Sequence, residues 1–273
     1  MNIPAKRLWK PLLQKAVTGR WQAFQMNRRK PAWPDQLRNA GLYLHIPFCR
    51  ELCPFCPYNR VKYQERLYDS FERAVYREIE MYTPYLNDTN FVSFYIGGGT
   101  PTVNPEGLQR ILKYLYKQLK VDCDCCIELH PANMDEDCLS ILHDCKISML
   151  SIGVESTSDR LLKRIGRSHD GRTALDAVRR AVSAGFNAVN VDLMFALPGQ
   201  TLEDWQKDLE RLFAEQIDQL STYPMFAFPY SELGAEIKID EVSRPNSKII
   251  RKMLKMTDKF ALKNGFKRCS VWS

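Results

Sequence analysis

Segments of strand length alternate with segments of helical period along almost the whole chain, and this alternation limits the possible folds more than any other feature. Short apolar runs over 42–46, 91–96, 125–129, 148–154, 188–194 and 219–226 read as strands. Helical spacing marks 65–82, 105–120, 135–145, 158–165, 172–184, 201–215 and 246–264. Within 65–82, Leu67, Phe71, Ala74, Val75, Ile79 and Tyr82 recur at about 3.6-residue spacing. Terminal signals agree: Pro105 suits a first helical turn, Asn246 a cap, and Gly185 and Gly265 follow helix ends. A last strand is expected over 267–272. Such alternation builds parallel strands joined by right-handed crossovers, and six units predict an α/β fold, an incomplete (β/α)6 barrel. Chemistry in barrels of this kind collects at the carboxyl ends of the strands.

The 273 residues suffice for one large core, and 45% hydrophobic with 26% charged residues is ordinary for a water-soluble chain. No apolar run reaches the length of a membrane span and no signal-peptide pattern opens the sequence, so a cytoplasmic location is expected. In that compartment the nine cysteines read as reduced thiols and metal ligands. Charge is uneven: residues 1–40 carry nine Lys or Arg and only Asp35 as an acid, a net +8 within a whole-chain +7. Leu8, Trp9, Leu12, Leu13, Ala16 and Val17 fall at helical spacing in this stretch, and Arg28-Arg29-Lys30 with Pro31 and Pro34 reads as a connector. The basic arm is either an amphipathic helix packed outside the barrel or a surface for an anionic partner. Nucleic acid is disfavoured, because no recognised binding module accompanies the charge. The expected divisions are a basic arm and linker over 1–40, a core barrel over 41–240, and a C-terminal helix and strand over 241–273.

Directly behind the first strand and Pro47 stand three cysteines, Cys49, Cys53 and Cys56. Thiolates hold iron–sulfur clusters, usually four to a cubane, so three on one loop anchor three irons and leave the fourth open to an outside ligand. Structural zinc, with His45 or His130 as fourth ligand, and plain buried thiols are the alternatives. A closed zinc site usually pairs its cysteines in separated knuckles, and no second such pair follows. Cys125 and Cys126 are adjacent, so in a strand they point to opposite faces.

Cys49-x3-Cys53-x2-Cys56, with the aromatic Phe55 before the last cysteine, resembles the cluster loop of the radical S-adenosylmethionine (SAM) superfamily. Tyr43-Leu44-His45-Ile46-Pro47-Phe48-Cys49, Gly97-Gly98-Gly99-Thr100-Pro101-Thr102 and Ser151-Ile152-Gly153-Val154-Glu155-Ser156 are similar to its oxygen-independent coproporphyrinogen III oxidase branch. That branch includes the decarboxylase, haem chaperones, an anaerobic haem-opening methyltransferase and other C-methyltransferases. The resemblance runs from about Leu42 to the end of the chain and implies a partial (β/α)6 TIM-like barrel of the radical SAM type.

The resemblance also implies roles. Cys49, Cys53 and Cys56 would hold a [4Fe-4S] cluster whose unique iron is chelated by SAM, which one electron cleaves to methionine and a 5'-deoxyadenosyl radical. Tyr43, Phe55, Gly98, Gly99 and Thr100 belong to the SAM-clamping motifs, and Glu128 matches an acid that binds the SAM amino or ribose groups. Glu155, Arg167 and Asp192 match the decarboxylase's residues for a second SAM, although Glu155 stands where that enzyme has glutamine. Arg167 and Asp192 could alternatively pair with each other. Phe226 and Ala227 match the position that stacks adenine. One SAM, with room for a second, is the implied cofactor load. The implied partners are a tetrapyrrole-like substrate and a reductase such as flavodoxin or ferredoxin. Decarboxylation, C-methyl transfer and haem delivery all remain open, and residues 241–273 read as the start of a truncated or minimal C-terminal region.

Overall fold

The computed structural model describes residues 37–226, 231 and 245–269; the basic arm, Ala227 and residues 270–273 lie outside the described residues. Six strands form one sheet in sequence order: β1 (Asn39–Ile46), β4 (Asn90–Gly98), β5 (Cys125–Leu129), β6 (Met149–Glu155), β7 (Ala188–Phe195) and β8 (Gln219–Pro224). Every neighbouring pair is parallel. Two short strands, β2 (Phe48–Cys49) and β3 (Val61–Lys62), pair with each other beside it. The helices α1 (Glu65–Leu86), α2 (Pro105–Gln118), α3 (Glu136–Asp144), α4 (Asp159–Arg164), α5 (Gly171–Ser183), α6 (Leu202–Phe213) and α7 (Ser247–Lys263) fill the connections. The expected partial barrel is therefore present, and the compact unit begins at Leu37, a few residues ahead of the expected boundary.

The period of two along each strand explains the core. Ile127, Leu150, Ile152, Val154, Val191 and Leu193 are sealed under the helices. Cys126, Glu128, Ser151, Gly153, Asn190, Asp192, Ser221 and Tyr223 alternate with the buried row and face a cavity inside the curl of the sheet. Cys125 and Cys126 do separate, one into the core and one into the cavity lining. The outer helices bury one stripe each, as in α2, where Leu108, Ile111, Leu112 and Leu115 pack inward. Asn104 caps α2 by accepting a hydrogen bond from Gly107 N at 2.9 Å, and Thr201 with Asp204 forms a capping box on α6.

Two boundaries differ from expectation. The helix expected to end at residue 82 continues through Pro84 to Leu86. One turn earlier, the Thr83 hydroxyl donates to Ile79 O at 2.8 Å, an internal bond of the kind that accompanies bends. Of the strand expected over 267–272, Lys267–Cys269 are not strand and the remainder lies outside the described residues; the preceding α7 packs on α6. The fully buried Trp205 of α6 donates from Nε1 to Met253 O at 3.1 Å and to the Thr257 hydroxyl at 3.2 Å. Phe213 packs against Phe260 and Phe266, with ring centroids 6.3 and 5.0 Å away. The terminal helix is thus part of the main core. No helix among the described residues is long and apolar enough to cross a membrane.

Trp205→Ala removes the largest fully buried side chain among the described residues and the tie to α7 together. Chemical denaturation should show a loss of about 3–5 kcal/mol. A loss below about 1 kcal/mol would mean that α7 does not depend on this contact.

Candidate active site

The three-cysteine loop is held at its base by backbone bonds. Gly99 N donates to Ile46 O at 2.8 Å and Thr100 N to Phe48 O at 2.7 Å, joining the ends of β1 and β4. On the other side Val61 N donates to Pro47 O at 2.7 Å and Tyr63 N to Cys49 O at 2.8 Å, which closes the loop. Phe48 anchors the base among Tyr63, Tyr68 and Phe71, whose ring centroids stand 6.2, 5.3 and 5.3 Å away. A Cβ on Gly99 would come within 2.6 Å of Phe48 O and 2.9 Å of Cys49 Sγ, so only glycine lets the turn approach the thiol this closely. The Thr100 hydroxyl bonds the Cys49 thiol, and Cys56 N donates to Cys53 O at 3.1 Å. The strand expected to stop before the glycines instead includes Gly97 and Gly98, which pair with His45 and Ile46.

A cavity of about 990 Å³ opens from this loop into the barrel. Of the expected residues, Cys49, Cys53, Cys56, Phe55, Gly98, Gly99, Thr100, Glu128, Glu155, Arg167, Asp192 and Phe226 all line it. Tyr43 does not; it is exposed and its ring lies against Tyr95, centroids 6.2 Å apart, and Tyr95 is the aromatic that reaches the lining. Tyr95, Arg60, Ser151, Asn190, Ser221 and Tyr223 also line the cavity, although the sequence assigns none of them a site role. The strand period alone could have found those on strands, since each shares its face with an expected site residue.

Glu128 accepts from the Tyr95 hydroxyl at 2.9 Å and from Gly98 N at 3.0 Å, which ties the acid to the glycine turn. Burial, then the neighbouring Glu128 charge, keeps the Tyr95 phenol protonated. Glu155 and Arg167 are not the solvated surface charges usual at a strand rim; Glu155 is buried and Arg167 part-buried. Glu155 has φ +66°, sits at a register shift between β6 and β7, and accepts from the Tyr223 hydroxyl at 2.8 Å. Burial raises its pKa, against the opposing pull of Arg167 and Tyr223.

Arg167 and Asp192 do not pair. The arginine donates from Nη2 to Gly153 O and from Nη1 to Cys53 Sγ at 3.6 Å. Asp192 accepts from Ser151 Oγ at 3.0 Å and Asn190 Nδ2 at 2.9 Å, and Asn190 in turn accepts from Ser221. Arg167 is engaged by a loop thiol and a strand carbonyl, and Asp192 by its strand neighbours.

Several observations test the fit of a cluster and SAM. The three thiols come from one closed loop and line one cavity, with backbone in contact at Gly99. Arg60 Nε and Arg167 Nε are buried without a hydrogen-bond partner, orphaned donors suited to an anionic group. Among the described residues no group of three or more His, Cys, Asp or Glu is gathered so as to hold a single ion. A cubane instead takes one sulfur per iron, so its thiolates stand apart. Nor is His45 free to serve as fourth ligand, because Nδ1 is engaged by the Tyr43 hydroxyl at 2.9 Å and Nε2 by Asn59 O at 3.1 Å. His130 Nδ1 accepts from Ala132 N at 3.2 Å, and burial, with help from Arg167 and His169, lowers its pKa to about 2.

Comparison with known proteins agrees with this geometry. The model of the radical SAM superfamily matches residues 43–212, well over half of the chain. The chain belongs to the radical SAM superfamily. Among curated relatives, the heme chaperone HemW of Lactococcus lactis is 30% identical over 67% of this radical SAM chain and 48% of its own length. The oxygen-independent coproporphyrinogen III oxidase of Escherichia coli K12 is 30% identical over 84% of this chain and 51% of its own. The solved structure of the Escherichia coli coproporphyrinogen III oxidase HemN, a radical SAM enzyme, has a TM-score of 0.78 at 27% identity, covering 85% of this chain and 54% of that one. This superfamily member therefore spans about half the length of the curated relatives it matches.

The buried carboxylates give the ligand-free protein a pH signature. Burial, then the Glu155 charge, raises the Asp192 pKa from 3.8 to about 7, overcoming the bonds from Ser151 and Asn190. The folded state binds this proton more tightly than the unfolded one, so stability falls as pH rises from about 4 to about 7. Asp192→Asn cannot ionise, and its melting temperature should gain on wild type as pH rises from about 5 to about 8. A gap constant across that range would show that Asp192 titrates normally.

Proposed function

We propose that this chain is a radical SAM enzyme that cleaves SAM reductively and acts on a tetrapyrrole or related substrate. The observation that carries the reading is convergence: three thiols of one loop, the backbone of Gly98 and Gly99, and Glu128 all border one cavity. Cys49, Cys53 and Cys56 would hold a [4Fe-4S] cluster, which when bound would pass on the one electron needed for reductive cleavage of SAM and so for hydrogen abstraction from substrate.

The chain's own residues bind, orient and exclude water. In this reading Gly98, Gly99 and Thr100 receive the methionyl end of SAM, and Glu128, preset by Tyr95 and Gly98, takes an ammonium or ribose hydroxyl. Phe55 walls the cluster side, while the half-exposed Phe226 offers a flat apolar face to adenine. Asp192 and Glu155 line the inner part of the cavity, where a second SAM or the substrate would meet them; Tyr43 acts at one remove, by backing Tyr95. An external one-electron reductase such as flavodoxin or ferredoxin, and a cytoplasmic setting that keeps thiols reduced, complete the proposal.

A second reading is haem delivery, favoured by the similarity to the Lactococcus lactis heme chaperone. Anaerobic reconstitution with iron and sulfide, then dithionite and SAM, separates the two. The enzyme reading expects 5'-deoxyadenosine from wild type and loss to background in Cys53→Ala. It is overturned if the reconstituted wild type makes none, and a stoichiometric Soret shift with haem in that case supports delivery. Labelled SAM with candidate tetrapyrroles distinguishes decarboxylation from C-methyl transfer by product mass. Glu128→Gln should weaken SAM binding roughly 10- to 100-fold, the worth of one hydrogen bond to a charged group, about 1.5–3 kcal/mol. Unchanged affinity would remove Glu128 from the SAM site.

A further inference from the structure

The segment between α4 and α5 clasps the three-cysteine loop at two points. Gly166 has φ +70°, and a Cβ there would come within 2.5 Å of Pro54 Cδ, so the backbone lies directly against the residue after Cys53. The next residue, Arg167, is pinned by its backbone N to Leu162 O at 2.9 Å and by its Nη2 to Gly153 O. With the fork fixed this way, Nη1 points at Cys53 Sγ, 3.6 Å away. Arg60 grips the same residue from the other side, donating to Cys53 O. The guanidinium stays charged: desolvation works against the charge, and Glu155 with Cys53 more than offsets it.

We propose that Arg167 is a positioning residue for the iron–sulfur cluster: by donating to the Cys53 sulfur it raises the cluster's reduction potential. The proposal rests on the functional reading above, in which Cys49, Cys53 and Cys56 hold a [4Fe-4S] cluster. Reduction takes one electron from an external donor and leaves the cluster with one more negative charge. A fixed cation with an N–H directed at a ligating sulfur stabilises that state more than the oxidised one. Arg167 is part-buried, and its Nε is shut off from solvent, so the charge acts on the sulfur with less screening than at an open surface. This assigns Arg167 a task on the cluster itself, present before any SAM binds and separate from a contact to a second SAM.

The test is a potentiometric titration of the reconstituted cluster without SAM, reduced with dithionite and followed by electron paramagnetic resonance. Arg167→Gln should lower the midpoint potential, and Arg167→Lys, which keeps a charge on a different stem, should fall between Gln and wild type. The guanidinium does not titrate in the working range, so the wild-type to Gln difference should be the same at about pH 7 and about pH 9. A wild-type potential in Arg167→Gln overturns the proposal. If that variant assembles no cluster, Arg167→Lys decides: a lowered potential supports the proposal, and one at or above wild type overturns it. Wild-type protein that assembles no [4Fe-4S] cluster sinks the functional reading as well, and does so before any potential is measured.

Discussion

The site depends first on the parallel pairing of β1 with β4. The pairing runs on past the strands, through Ile46 O and Phe48 O to the amides of Gly99 and Thr100, so the cysteine loop and the glycine turn move as one piece. Backbone hydrogen bonds suit this work because their geometry does not depend on rotamers. Glycine at position 99 removes the atoms that would keep the two segments apart. A loop of three thiols would otherwise be one more exposed turn. Here it becomes a rigid wall facing the carboxyl ends of the strands, where parallel barrels collect their chemistry.

Charge inside the cavity is organised around that wall. Two arginines, Arg60 and Arg167, stand beside the cysteine loop, while Glu128, Glu155 and Asp192 line the barrel side. Each acid is held by a different device: a backbone amide and a phenol for Glu128, a phenol for Glu155, a hydroxyl and a carboxamide for Asp192. Leaving such groups dry costs stability, and Asp192 records that cost in its raised pKa. A positive flank by the sulfurs and an acidic interior suit a ligand that carries a carboxylate at one end and a cationic or hydroxyl-rich group at the other. SAM has that character, and so the electrostatics and the membership in the radical SAM superfamily point the same way.

The outer shell does quieter work. Helices sealed on one stripe, the Trp205 tie and the aromatic packing around Phe213 stiffen the side of the barrel that carries β7 and β8. Stiffness at that distance matters because the inner residues of β7 and β8 share one network, Ser221 to Asn190 to Asp192. A small shift of one strand would break it.

Much of this was legible in one dimension. Period-two and period-3.6 patterns encode which element forms and which face is apolar, because burial rewards each residue separately. The same patterns put Cys49, Cys53 and Cys56 on the loop behind β1 and Glu128 near the end of its strand, and they separated Cys125 from Cys126, while Asp192, expected near a strand end, lies inside β7. Partnership between side chains from different strands was not legible. Arg167 faces Cys53, 114 residues earlier, rather than Asp192, and Tyr95 rather than Tyr43 reaches the cavity. Such choices depend on register, curvature of the sheet and the path of the crossovers, which fix distances of a few ångströms between residues remote in the chain. The sequence by itself determined the elements, their order and the supply of sulfurs and acids. Only the tertiary structure decided which charge meets which sulfur, because hydrogen bonds and Coulomb forces are set by separation in space, and sequence distance does not specify it.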